Sequence, residues 1–145
     1  MPSYYIDTCI YLNLWQKEVS FSGVKYWEIA QNLLEFIEEK NYTIYFSGFI
    51  LKELNYILSK KEFENKKELF ENTTNFKKVF LDKEELEEAR KIEKEVNFDV
   101  SFYDIIHMIL AKKTKSILVT RDKRLMNIAI KHKVDVKLPE EIIKI

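Results

Sequence analysis

The sequence predicts an α/β fold, a three-layer α/β/α sandwich with a central parallel sheet, formed by residues 1–145 as a single domain. Three observations predict it. Short apolar runs rich in Tyr, Ile, Val and Phe alternate with longer segments whose apolar residues recur at helical spacing. The stretches between successive strands are long, as crossovers between parallel strands must be. With 46% hydrophobic residues, ten Phe, eight Tyr and two Trp, a chain of 145 residues can fill one core.

Residues 3–6, SYYI, form a strand that ends at Asp7, and Asp7-Thr8 opens a polar start for a helical turn. Residues 24–39 place Val24, Trp27, Ala30, Leu34 and Ile37 on one helical face. YTIYF, residues 42–46, is aromatic and β-branched and reads as a strand. Ser47 is positioned to cap the helix that follows, in which Ile50, Leu54, Ile57 and Leu58 share a face. A further helix covers 62–72, and KKVFL, residues 77–81, reads as a short strand or an extended connection. The charged segment 83–96 is an amphipathic helix with Leu86, Ala89 and Val96 inward. Residues 101–113 form a strongly apolar helix with Asp99 as its N-cap. A strand over 116–120, a helix over 122–132 and an alternating strand over 134–138 complete the order.

Composition excludes several function classes. No run of about 18 apolar residues exists, so no membrane span is expected. The N-terminus lacks the basic and apolar regions of a signal peptide, and one cysteine, Cys9, rules out an internal disulfide; a cytoplasmic location is expected. With only Gly23 and Gly48, no glycine-rich phosphate loop can be built. Net charge is zero, but residues 112–133 hold eight bases and a single acid, Asp122. Such a stretch can attract a polyanion from a neutral chain, or can simply be solvated lysines.

In a parallel sheet, ligands bind beyond the carboxyl ends of the strands, so the residues there carry most weight. Asp7 ends the first strand, and Asp122 follows SILV directly after Thr120 and Arg121. Asp104 lies among Phe102, Tyr103, Ile105, Ile106, Met108 and Ile109 with no Lys or Arg within a turn. A buried carboxylate without a partner is costly and needs a cation, donors or an altered pKa. Glu53 sits early in the helix after YTIYF, where an acid also favours the helix dipole. Four carboxylates at one edge repel one another unless protonated or bound to a hard cation such as Mg²⁺ or Mn²⁺. Metal-assisted phosphodiester hydrolysis is the matching chemistry.

The set YIDTC, LKEL, FYDIIHMILA and VTRDKRL, in this order along the whole chain, resembles the PIN domain, the fold of the VapC-like toxin ribonucleases. The resemblance implies an acidic site of Asp7, Glu53, Asp104 and Asp122 holding Mg²⁺ or Mn²⁺, and cleavage of single-stranded RNA. Thr8 and Thr120 match the family's hydroxyl positions, Thr120 as the group orienting a carboxylate or a water at the metal. It further implies a homodimer and a small antitoxin as partner. Cys9 stands where the family more often has Asn or Ser, and Leu125 where some members carry another acid. Arg121, Lys123 and Arg124 read equally as RNA-backbone contacts or as a solvated turn. Two other readings stand beside the toxin: a housekeeping RNA-processing nuclease of the same fold, and a non-catalytic receiver-like acidic pocket, against which the lone acid of YYID counts. His107, one turn from Asp104, reads as a satisfied core histidine, His132 as a residue favoured near a helix C-terminus, and Trp15 and Trp27 as core.

Overall fold

The computed structural model describes residues 1–143. Among them, strands β1 (Ser3–Ile6), β2 (Thr43–Phe46), β3 (Phe76–Lys78), β4 (Ile117–Val119) and β5 (Val136–Lys137) form one all-parallel sheet in the order β3-β2-β1-β4-β5. β1 is central because Tyr4, Tyr5 and Ile6 are all buried, so neither face of the strand tolerates water. Its register sets Tyr5 beside Tyr45 of β2 and Leu118 of β4. The outer strands are short, and β3 carries exposed Lys77 and Lys78, which blunts that edge.

Eight helices are present among the described residues: α1 (Thr8–Trp15), α2 (Tyr26–Glu39), α3 (Gly48–Ile57), α4 (Lys60–Asn72), α5 (Lys83–Glu95), α6 (Phe102–Lys113), α7 (Lys123–Lys131) and α8 (Pro139–Ile142). α1 packs on α2 and α3, and α3 on α4; α5 packs on α6, and α6 on α7. These two groups form the outer layers that right-handed crossovers demand when the strand order reverses direction. Between the first group and the sheet, Phe70 meets Tyr11, Phe46 and Phe76 at ring separations of 5.0, 5.1 and 5.0 Å. Trp15 stacks on Tyr11, while Lys17 lies over the half-buried Trp27 ring.

The expected three-layer α/β/α architecture is observed, with local differences. The polar start at Asp7-Thr8 opens a full two-turn helix. α2 begins at Tyr26, because Val24 belongs to a turn closed by Ser20 and by Gly23 at φ +90°. β3 spans 76–78 rather than 77–81; beyond it only the Val79 N–H, donating to Phe46 O at 2.8 Å, continues the ladder. Leu86 and Ile57 are exposed; α5 buries Ala89 as expected, with Ile92 rather than Leu86 beside it. The N-cap of α6 is Ser101, whose hydroxyl accepts the Asp104 N–H at 3.1 Å, and not Asp99, which faces Arg124. α8 lies outside the expected elements, since its four residues are too few to show a helical period.

Candidate active site

Strands run outward from β1 in both directions, so the sequence of crossovers reverses between β1 and β4. In an open parallel sheet the crevice at that reversal, beyond the strands' carboxyl ends, is where ligands sit. Asp7 leaves β1 there and Asp122 follows β4. The Asp7 N–H donates to Val119 O at 2.9 Å, which ties the two strand ends together.

Thr120 joins these acids. Its fully buried hydroxyl donates to Asp7 Oδ2 at 2.8 Å and accepts the Asp122 N–H at 3.1 Å. Asp122 caps α7, its Oδ1 accepting from the N–H groups of Arg124 and Leu125 at 3.0 and 3.3 Å. Asp7 precedes α1 but makes no cap hydrogen bond with its side chain, so its carboxylate remains turned to Thr120 and to the Cys9 thiol at 3.3 Å. Burial and then the Asp7 charge push the Cys9 thiol well up, which leaves no ready thiolate nucleophile.

α6 supplies Asp104 and His107. Asp104 is half-buried, and its carboxyl is pushed up to about 6 by burial first and by the Asp7 charge next. Asp122 adds to the rise, while His107 and the Ser101 hydroxyl oppose it. Asp104 therefore shares one electrostatic environment with Asp7 and Asp122. Glu53 reaches the same region from α3, where its Oε1 accepts from Thr8 Oγ1 at 2.8 Å and from His107 Nε2. Burial disfavours the imidazolium of His107, but the hydrogen bond to Glu53 and the charges of Asp7, Glu53 and Asp104 outweigh it, so its pKa is raised.

The basic turn behaves unevenly. Arg121 donates to Asn13 Oδ1 at 3.2 Å and to Glu140 Oε2 at 3.1 Å, and its guanidinium lies 3.9 Å over the Tyr26 ring. Its charge is thus engaged inside the protein, joining α8 to the α1–α2 layer. Lys123 and Arg124 stay exposed at the site edge, Arg124 facing Asp99 at 3.5 Å.

No Lys or Arg among the described residues pairs with Asp7, Glu53, Asp104 or Asp122. The unmet charge and the all-oxygen donor set suit a hard divalent cation. As the side chains stand, no three His, Cys, Asp or Glu among the described residues are close enough to enclose a metal. Mutually repelling carboxylates spread apart, and Mg²⁺ in any case takes one or two of them and keeps several waters.

This is an α/β protein with an acidic crevice at the switch point of a parallel sheet. The PIN domain family model matches residues 4–131, and the chain belongs to that family. Solved structures share the fold. They include VapBC2 from Rickettsia felis bound to a DNA fragment from its promoter, with TM-score 0.65 and 20% identity over 94% of this chain and 98% of that one. FitAcB from Neisseria gonorrhoeae gives TM-score 0.60 and 16% identity over 94% and 97%. FitAB bound to the IR36 DNA fragment gives 0.59 and 15% over 94% of each. No curated protein sequence matches the chain.

Proposed function

We propose that this protein is a divalent-metal-dependent endoribonuclease acting on single-stranded RNA, and the toxin of a toxin–antitoxin pair. The observation that carries the catalytic reading is the gathering of Asp7, Asp104 and Asp122 at the switch point with no Lys or Arg partner among the described residues. PIN domains are generally nucleases and typically use divalent metals, which supports it. The likeness to VapC-like toxins in sequence and to VapBC2 in fold supports the toxin reading, with an antitoxin as partner; a second copy of the chain is proposed on the family resemblance alone.

Asp7, Glu53, Asp104 and Asp122 would hold Mg²⁺ or Mn²⁺, which when bound supplies Lewis-acid polarisation of the phosphoryl group and a lowered pKa for the attacking water. Thr120 engages Asp7 Oδ2, and Oδ1 has no hydrogen-bond partner among the described residues, so Oδ1 would be the oxygen free for the ion. Asp122 Oδ1 serves the helix cap, which would leave Oδ2 for the same role. Glu53, held by Thr8, would bind the ion or orient the water. Lys123 and Arg124 neutralise phosphates along the strand without regard to sequence.

Cleavage of a single-stranded RNA in Mg²⁺ or Mn²⁺, stopped by chelator, is the expected result. Asp7→Ala and Asp104→Ala should each lower the rate about 100-fold or more if they carry transition-state charge. Wild-type rates in either variant would overturn the site assignment. A gene for a small DNA-binding protein immediately upstream would favour a toxin over an RNA-processing nuclease.

A further inference from the structure

We propose that His107 is a positioning residue that fixes the Glu53 carboxylate through its Nε2–H, braced by Tyr5 at its other ring nitrogen. The inference rests on the nuclease reading and adds to it a residue outside the acidic set.

The geometry is a buried chain of hydrogen bonds that ends in the crevice. The Ile50 N–H donates to Ser47 Oγ at 3.4 Å, Ser47 Oγ lies 2.7 Å from the Tyr5 hydroxyl, and that hydroxyl lies 2.8 Å from His107 Nδ1. His107 Nε2 then meets Glu53 Oε1. Ser47, Tyr5 and His107 are all essentially inaccessible to water, whereas the Glu53 side chain keeps 24% exposure. One direction of donation satisfies every member: Ser47 to Tyr5, Tyr5 to Nδ1, and Nε2–H to Glu53. The neutral tautomer and the imidazolium both present a proton to Oε1, so the contact does not depend on the ring's charge.

Both donors to Glu53, Thr8 and His107, converge on Oε1, and no hydrogen bond to Oε2 is present among the described residues. Oε1 is the anchored oxygen and Oε2 the one left for chemistry. A histidine needed only for packing would be satisfied by any buried partner. This one commits its crevice-facing nitrogen to a carboxylate of the site and rests its other nitrogen on the central strand. Buried partners of this kind orient metal-binding side chains, and losing one typically costs about 10–100-fold in activity or metal affinity.

The test compares His107→Leu, which keeps the volume and loses both hydrogen bonds, with His107→Gln, whose side-chain amide retains an N–H toward Glu53. Three quantities are read: the ¹³C signal of the Glu53 carboxyl, the affinity for Mn²⁺ alone, and kcat and KM on RNA. His107→Leu should shift or broaden the Glu53 signal, weaken Mn²⁺ binding and lower kcat about tenfold while KM stays within about twofold. His107→Gln should restore most of each. In a Glu53→Gln background, His107→Leu should add little further loss, because the two residues act as one unit. If His107→Leu does not fold, His107→Asn, which can pair with Tyr5 but is too short for Glu53, replaces it with the same expectations. An unchanged Glu53 signal, or equal losses in both backgrounds, would overturn the proposal. A wild-type protein that cleaves no RNA would instead overturn the nuclease reading, and the carboxyl signal would still decide the role of His107.

Discussion

Asp104 illustrates how one side chain of the candidate site can oppose stability. Its carboxyl is pushed up from 3.8 to about 6 by burial and by the Asp7 charge. Between those values the folded protein keeps a proton that the unfolded chain releases. Metal-free stability should therefore fall as pH rises from about 4 to about 6 and stay level above. Asp104→Asn cannot ionise, so it should lose this dependence and melt a few degrees higher than wild type at neutral pH without metal. After discounting for solvent around a half-buried group, the gain is on the order of 1–2 kcal/mol. A lower melting temperature would argue against a repulsive pocket. Thr120 works in the opposite sense. Thr120→Val keeps the shape but strips Asp7 of a donor and leaves the Asp122 N–H unpaired, which should cost about 1–3 kcal/mol in urea unfolding and reduce cleavage.

At the level of the element, α6 is held in place at its first turn. Ser101 accepts the Asp104 N–H, so the cap of the helix and the position of the acid are one feature. Ser101→Ala should destabilise the protein by about 1 kcal/mol and lower cleavage, and Ser101→Asp should recover the stability. A thermal melt of the three proteins checks it, with recovery absent if the cap were unimportant. The helix is legible in sequence because FYDIIHMILA is apolar on nearly every side. Its cap is not, since Asp99 and Ser101 are both good capping types two residues apart, and only backbone geometry selects Ser101. Leu86 and Ile57 point outward against expectation for a similar reason: periodicity marks a stripe but not how wide a stripe the neighbouring layer covers.

Across the whole molecule, seven of the eight bases of residues 112–133, all but Arg121, are one run in sequence and two patches in space. α6 and α7 both run away from the carboxyl edge. Lys112, Lys113 and Lys115 at the end of α6, and Lys131 and Lys133 at the end of α7, therefore lie at the opposite edge from Lys123 and Arg124. Replacing Lys123 and Arg124 with Gln should weaken RNA binding and lower the salt-dependence slope by about 0.7 for each phosphate no longer neutralised. The same change at Lys112, Lys115 and Lys133 should leave both nearly unaltered. Equal effects from the two sets would mean that the RNA path is not confined to the acidic edge. No helix among the described residues is long and apolar enough to cross a membrane, in line with the apolar runs of the sequence.

The alternation of strands and helices and the placing of Asp7 and Asp122 just past two strands are already present in the order of residues. Strand burial and helix periodicity are local properties, written every second or every third to fourth position. The adjacency of β1 and β4 is not, because strands more than 100 residues apart in sequence share no local signal. That adjacency turns two separate acids into a crevice with Thr120 between them. The same holds for Arg121, drawn away from its basic neighbours by Glu140 and Tyr26, and for His107, whose partners Tyr5 and Glu53 lie on other elements. Sequence spacing places His107 one turn from an acid; the fold brings Glu53 of α3, from the opposite layer, to its Nε2.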